Sequence, residues 1–187
     1  YYFAPNSVFN EIKQLEPGNC IRIDPDMNIQ RFQYFNLKDT FTSSQSKVDL
    51  KSIEESINNS ILIHTRSDVD YGTQLSGGLD SSLISAIVSI NRKNIQKNNL
   101  HSFSVQLDCP DLDESKYQKI ISDQYKTLHY SYKCSARDIE QNLIKSIWMY
   151  DYPLHHPNII ASYLMNRMAY QKGIKVLLSG EGADELF

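Results

Sequence analysis

Tyr71-Gly72-Thr73-Gln74-Leu75-Ser76-Gly77-Gly78-Leu79-Asp80-Ser81-Ser82-Leu83-Ile84-Ser85-Ala86-Ile87-Val88 is the stretch on which the reading of the whole chain turns. Tyr71–Leu75 has the character of a strand, and an apolar-rich helix opens at Leu83. Two consecutive glycines between them let the backbone fold tightly and turn its N–H groups outward. The helix N-terminus behind the turn adds positive dipole character, so the loop suits an anion such as pyrophosphate. Hydroxyls at Ser76, Ser81 and Ser82 add donors, and Asp80 can hold the Mg²⁺ that accompanies a nucleotide. The spacing is neither G-x-x-x-x-G-K-[ST] nor G-x-G-x-x-G, which excludes a kinase-type phosphate loop and a dinucleotide fingerprint. An ordinary Ser/Gly turn before a helix is the structural alternative.

Outward from this loop, strands and helices alternate. Strand 71–76 leads to helix 80–92, strand 101–107 to helix 113–125, and strand 127–132 to helix 136–150. Helix 159–172 then leads to strand 174–178. Upstream, Asp49 can cap a helix whose apolar positions Leu50, Ile53, Ile57, Ile61 and Leu62 recur at helical spacing. This order predicts an α/β fold, a parallel sheet with helices on both faces. Ligands in such sheets lie beyond the carboxyl ends of the strands. A second glycine-bearing run, Ser179-Gly180-Glu181-Gly182-Ala183-Asp184-Glu185-Leu186-Phe187, directly follows the strand ending at Leu178. Two motifs about a hundred residues apart in sequence therefore converge on one edge of the sheet.

The first 37 residues differ in texture. Val8 to Leu15 has a short helical pattern, broken by Glu16-Pro17-Gly18. Asn19–Ile23 and Ile29–Phe35 alternate as strands around a turn-rich Asp24–Asn28, predicting an antiparallel hairpin. A hairpin this small is marginal alone. Residues 38–47 are polar and read as a linker.

Composition is that of an ordinary globular protein: 187 residues, 41% hydrophobic, 22% charged, net charge −3. No basic footprint for nucleic acid is evident, and no apolar run reaches the ~20 residues of a membrane span. The densest basic patch, Arg92-Lys93 with Lys97, reads as a solvated face in a polar loop. Cys20, Cys109 and Cys134 form no C-x-x-C pair, which argues for a reducing compartment and for three small buried hydrophobes rather than a zinc site. Beginning at Tyr1 without a methionine, and stopping directly after a motif, the chain is expected to be a fragment.

S-G-G-x-D-S is the signature loop of the N-type ATP pyrophosphatases, and S-G-E-G-x-D-E narrows the match. Together the motifs resemble the synthetase domain of glutamine-dependent asparagine synthetases over roughly residues 45–187. The resemblance implies an adenine nucleotide alpha hydrolase-like fold over 48–187. It also implies that residues 1–37 are the C-terminal end of a class II glutaminase domain and 38–47 the linker. The implied reaction is ATP-dependent amidation of aspartate through β-aspartyl-AMP, releasing AMP and pyrophosphate, with ammonia derived from glutamine. ATP and Mg²⁺ are the implied cofactors. Neither nucleic acid nor membrane is an implied partner, the location is cytoplasmic, and a homodimer is one option.

By the same resemblance Leu75 and Val105 contact the nucleotide through their backbone. Ser76, Gly77, Gly78, Asp80, Ser81 and Ser82 hold pyrophosphate, Ser179 and Gly180 face ribose and phosphates, and Asp80 and Asp184 carry the metal. Glu181 is the expected catalytic acid, tied to acyl-adenylate formation and ammonia handling. The residues themselves leave plainer roles open: Val105 as a core strand residue, Asp184 as a surface acid, Glu181 and Glu185 as helix-start or capping carboxylates. Asp113 and Glu114 read as helix-start charges. Departure from the family falls in Tyr150–Asn158, where an arginine is expected. His155, His156 and two prolines stand there instead, and no arginine follows until Arg167. A metal role for the adjacent histidines is weaker than capping or packing. Because a guanidinium fork suits an α-carboxylate, its absence leaves the acceptor open. The rivals are a β-lactam-synthetase-like or other amidotransferase relative using another carboxylate, and a non-catalytic nucleotide-binding subunit.

Overall fold

The computed structural model describes residues 3–39, 49–94, 98–108, 113–154, 156 and 158–184. The chain divides into two compact units, Tyr1–Asp49 and Leu50–Phe187. In the first unit, strands β1 (Asn19–Ile23) and β2 (Ile29–Gln33) pair antiparallel, with Ile23 opposite Ile29. Asp24 closes the turn by accepting from the backbone N–H of Asn28 at 2.8 Å. The strand expected through Phe35 ends at Gln33, because Tyr34 and Phe35 both donate to the Gly18 carbonyl (2.8 and 3.2 Å) instead of continuing the ladder.

The helix expected over Val8–Leu15 does not form; the segment is a run of bends followed by residues without regular structure. Ser7 donates to the carbonyls of Phe9 (3.0 Å) and Ile12 (2.6 Å), and Gln14 donates to that of Pro5 (3.0 Å). Those bonds take up backbone groups that a helix would pair internally. Phe9, Ile12 and Leu15 stay exposed, so no buried face stabilises the helical alternative.

The second unit is a four-stranded parallel sheet in the order β5-β4-β3-β6, formed by β3 (Tyr71–Gln74), β4 (His101–Leu107), β5 (Leu128–Cys134) and β6 (Val176–Leu178). Its helices are α1 (Leu50–His64), α2 (Leu79–Asn94), α3 (Ser115–Tyr125), α4 (Ala136–Tyr150) and α5 (Asn158–Gln171). The expected α/β class holds, with boundaries shifted by a few residues. Helix α3 starts at Ser115 rather than 113 because the Asp113 carboxylate accepts from the Ser115 N–H at 2.9 Å. A capping box of Ser135 and Asp138 sets the start of α4. On α1, Ile53, Ile57 and Ile61 are half-buried as the spacing predicts, whereas Leu50 and Leu62 are exposed.

The two sheet faces differ in chemistry. On one, Phe103 (0% exposed) packs with Met165, Ala169 and Ile174, flanked by Val105, Tyr130 and Leu177. On the other, Tyr71, Val88 and Leu100 share the interior with buried small polar residues. There Ser85 donates to Thr73 at 2.9 Å, and Ser102 lies 2.9 Å from His129 Nδ1. Burial pushes the His129 pKa down, so neutral imidazole is the form that fits.

Arg92 is not the solvated charge expected of it. It is 3% exposed, with Nη1 2.9 Å from Asp70, Nε donating to the Asn98 carbonyl at 3.1 Å, and its guanidinium 4.9 Å from the Tyr71 ring centre. A planar fork with several donors can be buried when each finds a partner; Lys93 beside it is exposed, and Lys97 lies outside the described residues. Cys134 is buried as expected, which raises its thiol pKa, while Cys20 is only half-buried. Cys109 and most of the expected linker lie outside the described residues. Among the described residues no helix is long and apolar enough to cross a membrane.

Candidate active site

The chain lays down β3, β4 and β5 outward to one side and then adds β6 on the other side of β3. Strand order reverses between β3 and β6, and the carboxyl ends of those two strands carry the two glycine loops. Open α/β sheets form their ligand crevice at such a reversal.

The first loop leaves the sheet in stages. Leu75, fully buried, still donates to the Phe103 carbonyl at 2.8 Å, so its N–H belongs to the β3–β4 ladder. The chain then turns through Gly77 at φ +105°, where a Cβ would come within 3.0 Å of both the Cβ and the carbonyl oxygen of Glu114. Only glycine fits that backbone angle against the start of α3. Ser76 and Ser81 hydroxyls lie 2.8 Å apart, Ser76 N–H donates to Ser81 Oγ at 3.2 Å, and Gly78 N–H donates to Ser76 Oγ at 3.2 Å. The hydroxyls expected to serve as ligand donors are thus engaged in cross-bracing the loop at Ser76 and Ser81. Ser82 sits further round α2 and closes its first turn on the Gly78 carbonyl at 3.1 Å.

The second loop is held more lightly. Ala183 N–H donates to the Gly180 carbonyl at 3.3 Å, and Glu181 N–H reaches Ser179 Oγ at 3.4 Å. Glu181 and Asp184 are exposed. Gly180 is where the loops meet: a Cβ there would lie 2.9 Å from Asp80 Cβ and 3.1 Å from the Ser81 nitrogen.

Between the loops lies a cavity of about 350 Å³ lined by residues of both, including Ser76, Gly78, Asp80, Ser81, Gly180 and Asp184, together with Gln74, Glu114, Glu181 and Gly182. Its lining holds four carboxylates (Asp80, Glu114, Glu181, Asp184) and no lysine, arginine or histidine among the described residues. A bare polyanion would be repelled here; one carrying a divalent cation would be attracted. Asp80 and Asp184, one per loop, offer the hard oxygen donors that Mg²⁺ takes in small number alongside waters and phosphate oxygens. No group of three or more His, Cys, Asp or Glu positioned to hold a metal occurs among the described residues.

A second cavity of about 260 Å³ adjoins the first and shares Gln74, Ser76 and Glu181 with it. Its remaining wall is largely apolar, with Leu75, Phe103, Val105, Leu107 and Met165, so the structure brings Leu75 and Val105 to one cavity. A third, of about 390 Å³, is lined by Ser60, Ile61, His64, Ile84, Leu177, Leu178, Ser179 and Glu181. The expected pair Ser179–Gly180 is therefore divided: Gly180 lines the carboxylate cavity and Ser179 lines the third. Glu181 borders all three.

The sequence assigns no site role to Gln74 or to the α5 contributors Ala161, Ser162 and Met165, marks Glu114 only as a helix-start charge, and includes Asn158 only as the end of the Tyr150–Asn158 stretch. The position of Gln74, directly before the loop at the end of a central strand, was the one available signal. His156 accepts from the Asn158 N–H at 3.3 Å, a capping role at the start of α5. His155 and Glu185 lie outside the described residues. Arg167 is exposed, with its guanidinium 5.7 Å from the Tyr163 ring centre, and lines none of these cavities.

Against this geometry, a sequence model of the family described as Asparagine synthase matches residues 52–187. A Methanocaldococcus jannaschii protein provisionally named a glutamine-hydrolyzing asparagine synthetase is 33% identical over 98% of this chain and 35% of its own length. Glutamine-hydrolyzing asparagine synthetase 1 of Bacillus subtilis is 33% identical over 98% of this chain and 28% of its own length. Asparagine synthetase B of Escherichia coli is 35% identical over 83% of this chain and 29% of its own length. The chain spans about a third of the length of the relatives it matches.

Proposed function

The chain belongs to the asparagine synthase family, and from that premise we propose that its two glycine loops bind Mg²⁺·ATP and activate a carboxylate by adenylation. The nominal substrate is the β-carboxylate of aspartate, giving β-aspartyl-AMP and pyrophosphate. Ammonia from glutamine then displaces AMP to yield asparagine. In the whole protein residues 1–37 would end the glutaminase domain that supplies this ammonia, and residues 48–187 would form the nucleotide-binding part of a cytoplasmic ligase.

The observation that carries the reading is the cavity with four carboxylates and no basic side chain among the described residues, set at the strand-order reversal beside an apolar cavity. The apolar cavity, with Leu75 and Val105, suits an adenine. The free N–H groups at the start of α2 suit a phosphate. Asp80 and Asp184 would hold Mg²⁺, which when bound neutralises the charge that develops on departing pyrophosphate. Glu181, bordering all three cavities, is positioned to accept a proton from the attacking amine. Ser76 and Ser81 contribute by holding the loop in shape before substrate arrives.

One observation favours a second acceptor. The arginine suited to an amino acid's α-carboxylate is absent from these cavities among the described residues, and Arg167 stacks elsewhere. A different carboxylic acid, as in an amidotransferase relative, is therefore the second reading. ATP–pyrophosphate exchange by the complete protein separates them: exchange that requires aspartate supports the asparagine reading. Exchange driven by other carboxylates but not aspartate moves the assignment to the relative, and no exchange with any carboxylate contradicts both.

A further inference from the structure

Gln118 on α3 is 2% exposed, and its Nε2 donates to the Ser76 carbonyl at 2.8 Å across 42 residues of sequence. Its Oε1 is buried without a partner among the described residues, where the amide group makes that one bond. A buried glutamine with half of its hydrogen-bonding capacity unmet is costly, and an apolar residue of similar size would avoid the cost.

We propose that Gln118 is a positioning residue for the phosphate-binding loop, latching the Ser76–Gly77 peptide in one of its two orientations. In a planar trans peptide the C=O and the following N–H point in opposite directions. Holding the Ser76 carbonyl against Gln118 therefore sends the Gly77 N–H away from Gln118. Gly77 at φ +105° is free of the steric limits that would otherwise prevent this peptide from flipping. A flip would exchange a donor for a carbonyl oxygen in a loop where an anion needs donors. The serine cross-braces fix Ser76 N–H and Gly78 N–H but leave this intervening peptide unheld. Glu114 and Tyr117, pressed against Gly77, keep α3 close enough for the latch to reach.

This inference rests on the ATP-site reading. Its test is equilibrium binding of Mg²⁺·pyrophosphate and of AMP to the complete protein, in wild type, Gln118→Met and Gln118→Asn. Met keeps the bulk and removes the donor; Asn keeps the amide but falls short of the carbonyl, and it serves if Met does not yield folded protein. The latch predicts pyrophosphate affinity lowered about fivefold, the worth of one such bond, with AMP affinity within about twofold of wild type. A merely structural role would weaken both ligands together, and either that outcome or unchanged pyrophosphate affinity in a folded variant overturns the latch. Wild-type protein that binds neither ligand would instead overturn the ATP-site reading itself.

Discussion

The two glycine loops face the same cavity but are built on opposite plans. The Ser76–Ser82 loop is braced from within by Ser76 and Ser81 and from behind by Gln118, and the residue before it, Leu75, is still hydrogen-bonded to the sheet. The Ser179–Asp184 loop shows, among the described residues, two long hydrogen bonds, one to a carbonyl and one to the Ser179 hydroxyl, together with exposed acids and a close approach of Gly180 to Asp80 and Ser81. A leaving group of high charge is best met by donors fixed beforehand, since no reorganisation is then needed as charge develops. An acid that serves an incoming substrate must instead be reachable. Under the proposed chemistry, rigidity on one side would serve anion binding and access on the other would serve the acid.

The contrast can be broken most severely where the loops touch. Gly180→Val places side-chain carbon against Asp80 Cβ, now 2.9 Å from where a Cβ would sit. Pushing the loops apart by about 1 Å should lower ATP–pyrophosphate exchange roughly 10²-fold, while circular dichroism remains that of folded protein. Removing the brace is the next largest effect. Ser81→Ala deletes a hydroxyl that contacts Ser76 N–H, Ser76 Oγ and the Gly78 carbonyl. The exchange rate should fall about tenfold, as expected for losing one or two net hydrogen bonds at 0.5–1.5 kcal/mol each. Glu181→Gln sharpens the difference between the walls. If the exposed acid serves the amine step, overall synthesis with ammonia should drop by 10²-fold or more, the usual range for a general base, and Mg²⁺·pyrophosphate binding should be unchanged.

The smallest effect belongs to the opposite end of β3, where Arg92 grips Asp70. Partial burial works to raise the Asp70 pKa, but the hydrogen bond and charge of Arg92 outweigh it and hold the carboxyl below the usual aspartate range. A depressed carboxylate contributes stability at neutral pH that disappears as pH falls below the ordinary aspartate value of about 3.9 and through the folded one. Asp70→Asn should therefore cost at most about 1 kcal/mol at pH 7, given the half-exposed partner. Denaturant melts should show the difference shrinking toward zero in acid, with the exchange rate at neutral pH unaffected.

What could be read from sequence follows the range of the interactions. The parallel α/β order and both loops were legible because strand character, glycine placement and helix onset are written within a dozen residues. The roles of Gln118 and Glu114 were not, since they arise where α3 meets a loop about forty positions earlier. The burial of Arg92 is invisible locally for the same reason: it depends on Asp70, 22 positions upstream. In Val8–Leu15 the pattern was helical, but Ser7 and Pro5 took the backbone groups and no apolar surface rewarded the alternative. The sequence points to Ser76 and Ser81 as ligand donors, while only geometry shows their hydroxyls bracing the loop.

Under the proposed function the carboxylate-lined cavity takes a polyphosphate only with its metal. Calorimetric titration of ATP into the complete protein, with Mg²⁺ and again with a chelator, tests this most directly. ATP should bind with Mg²⁺, lose most of that affinity in the chelator, and show the same loss in Asp80→Asn with Mg²⁺ present. ATP bound equally well with and without Mg²⁺ would contradict it.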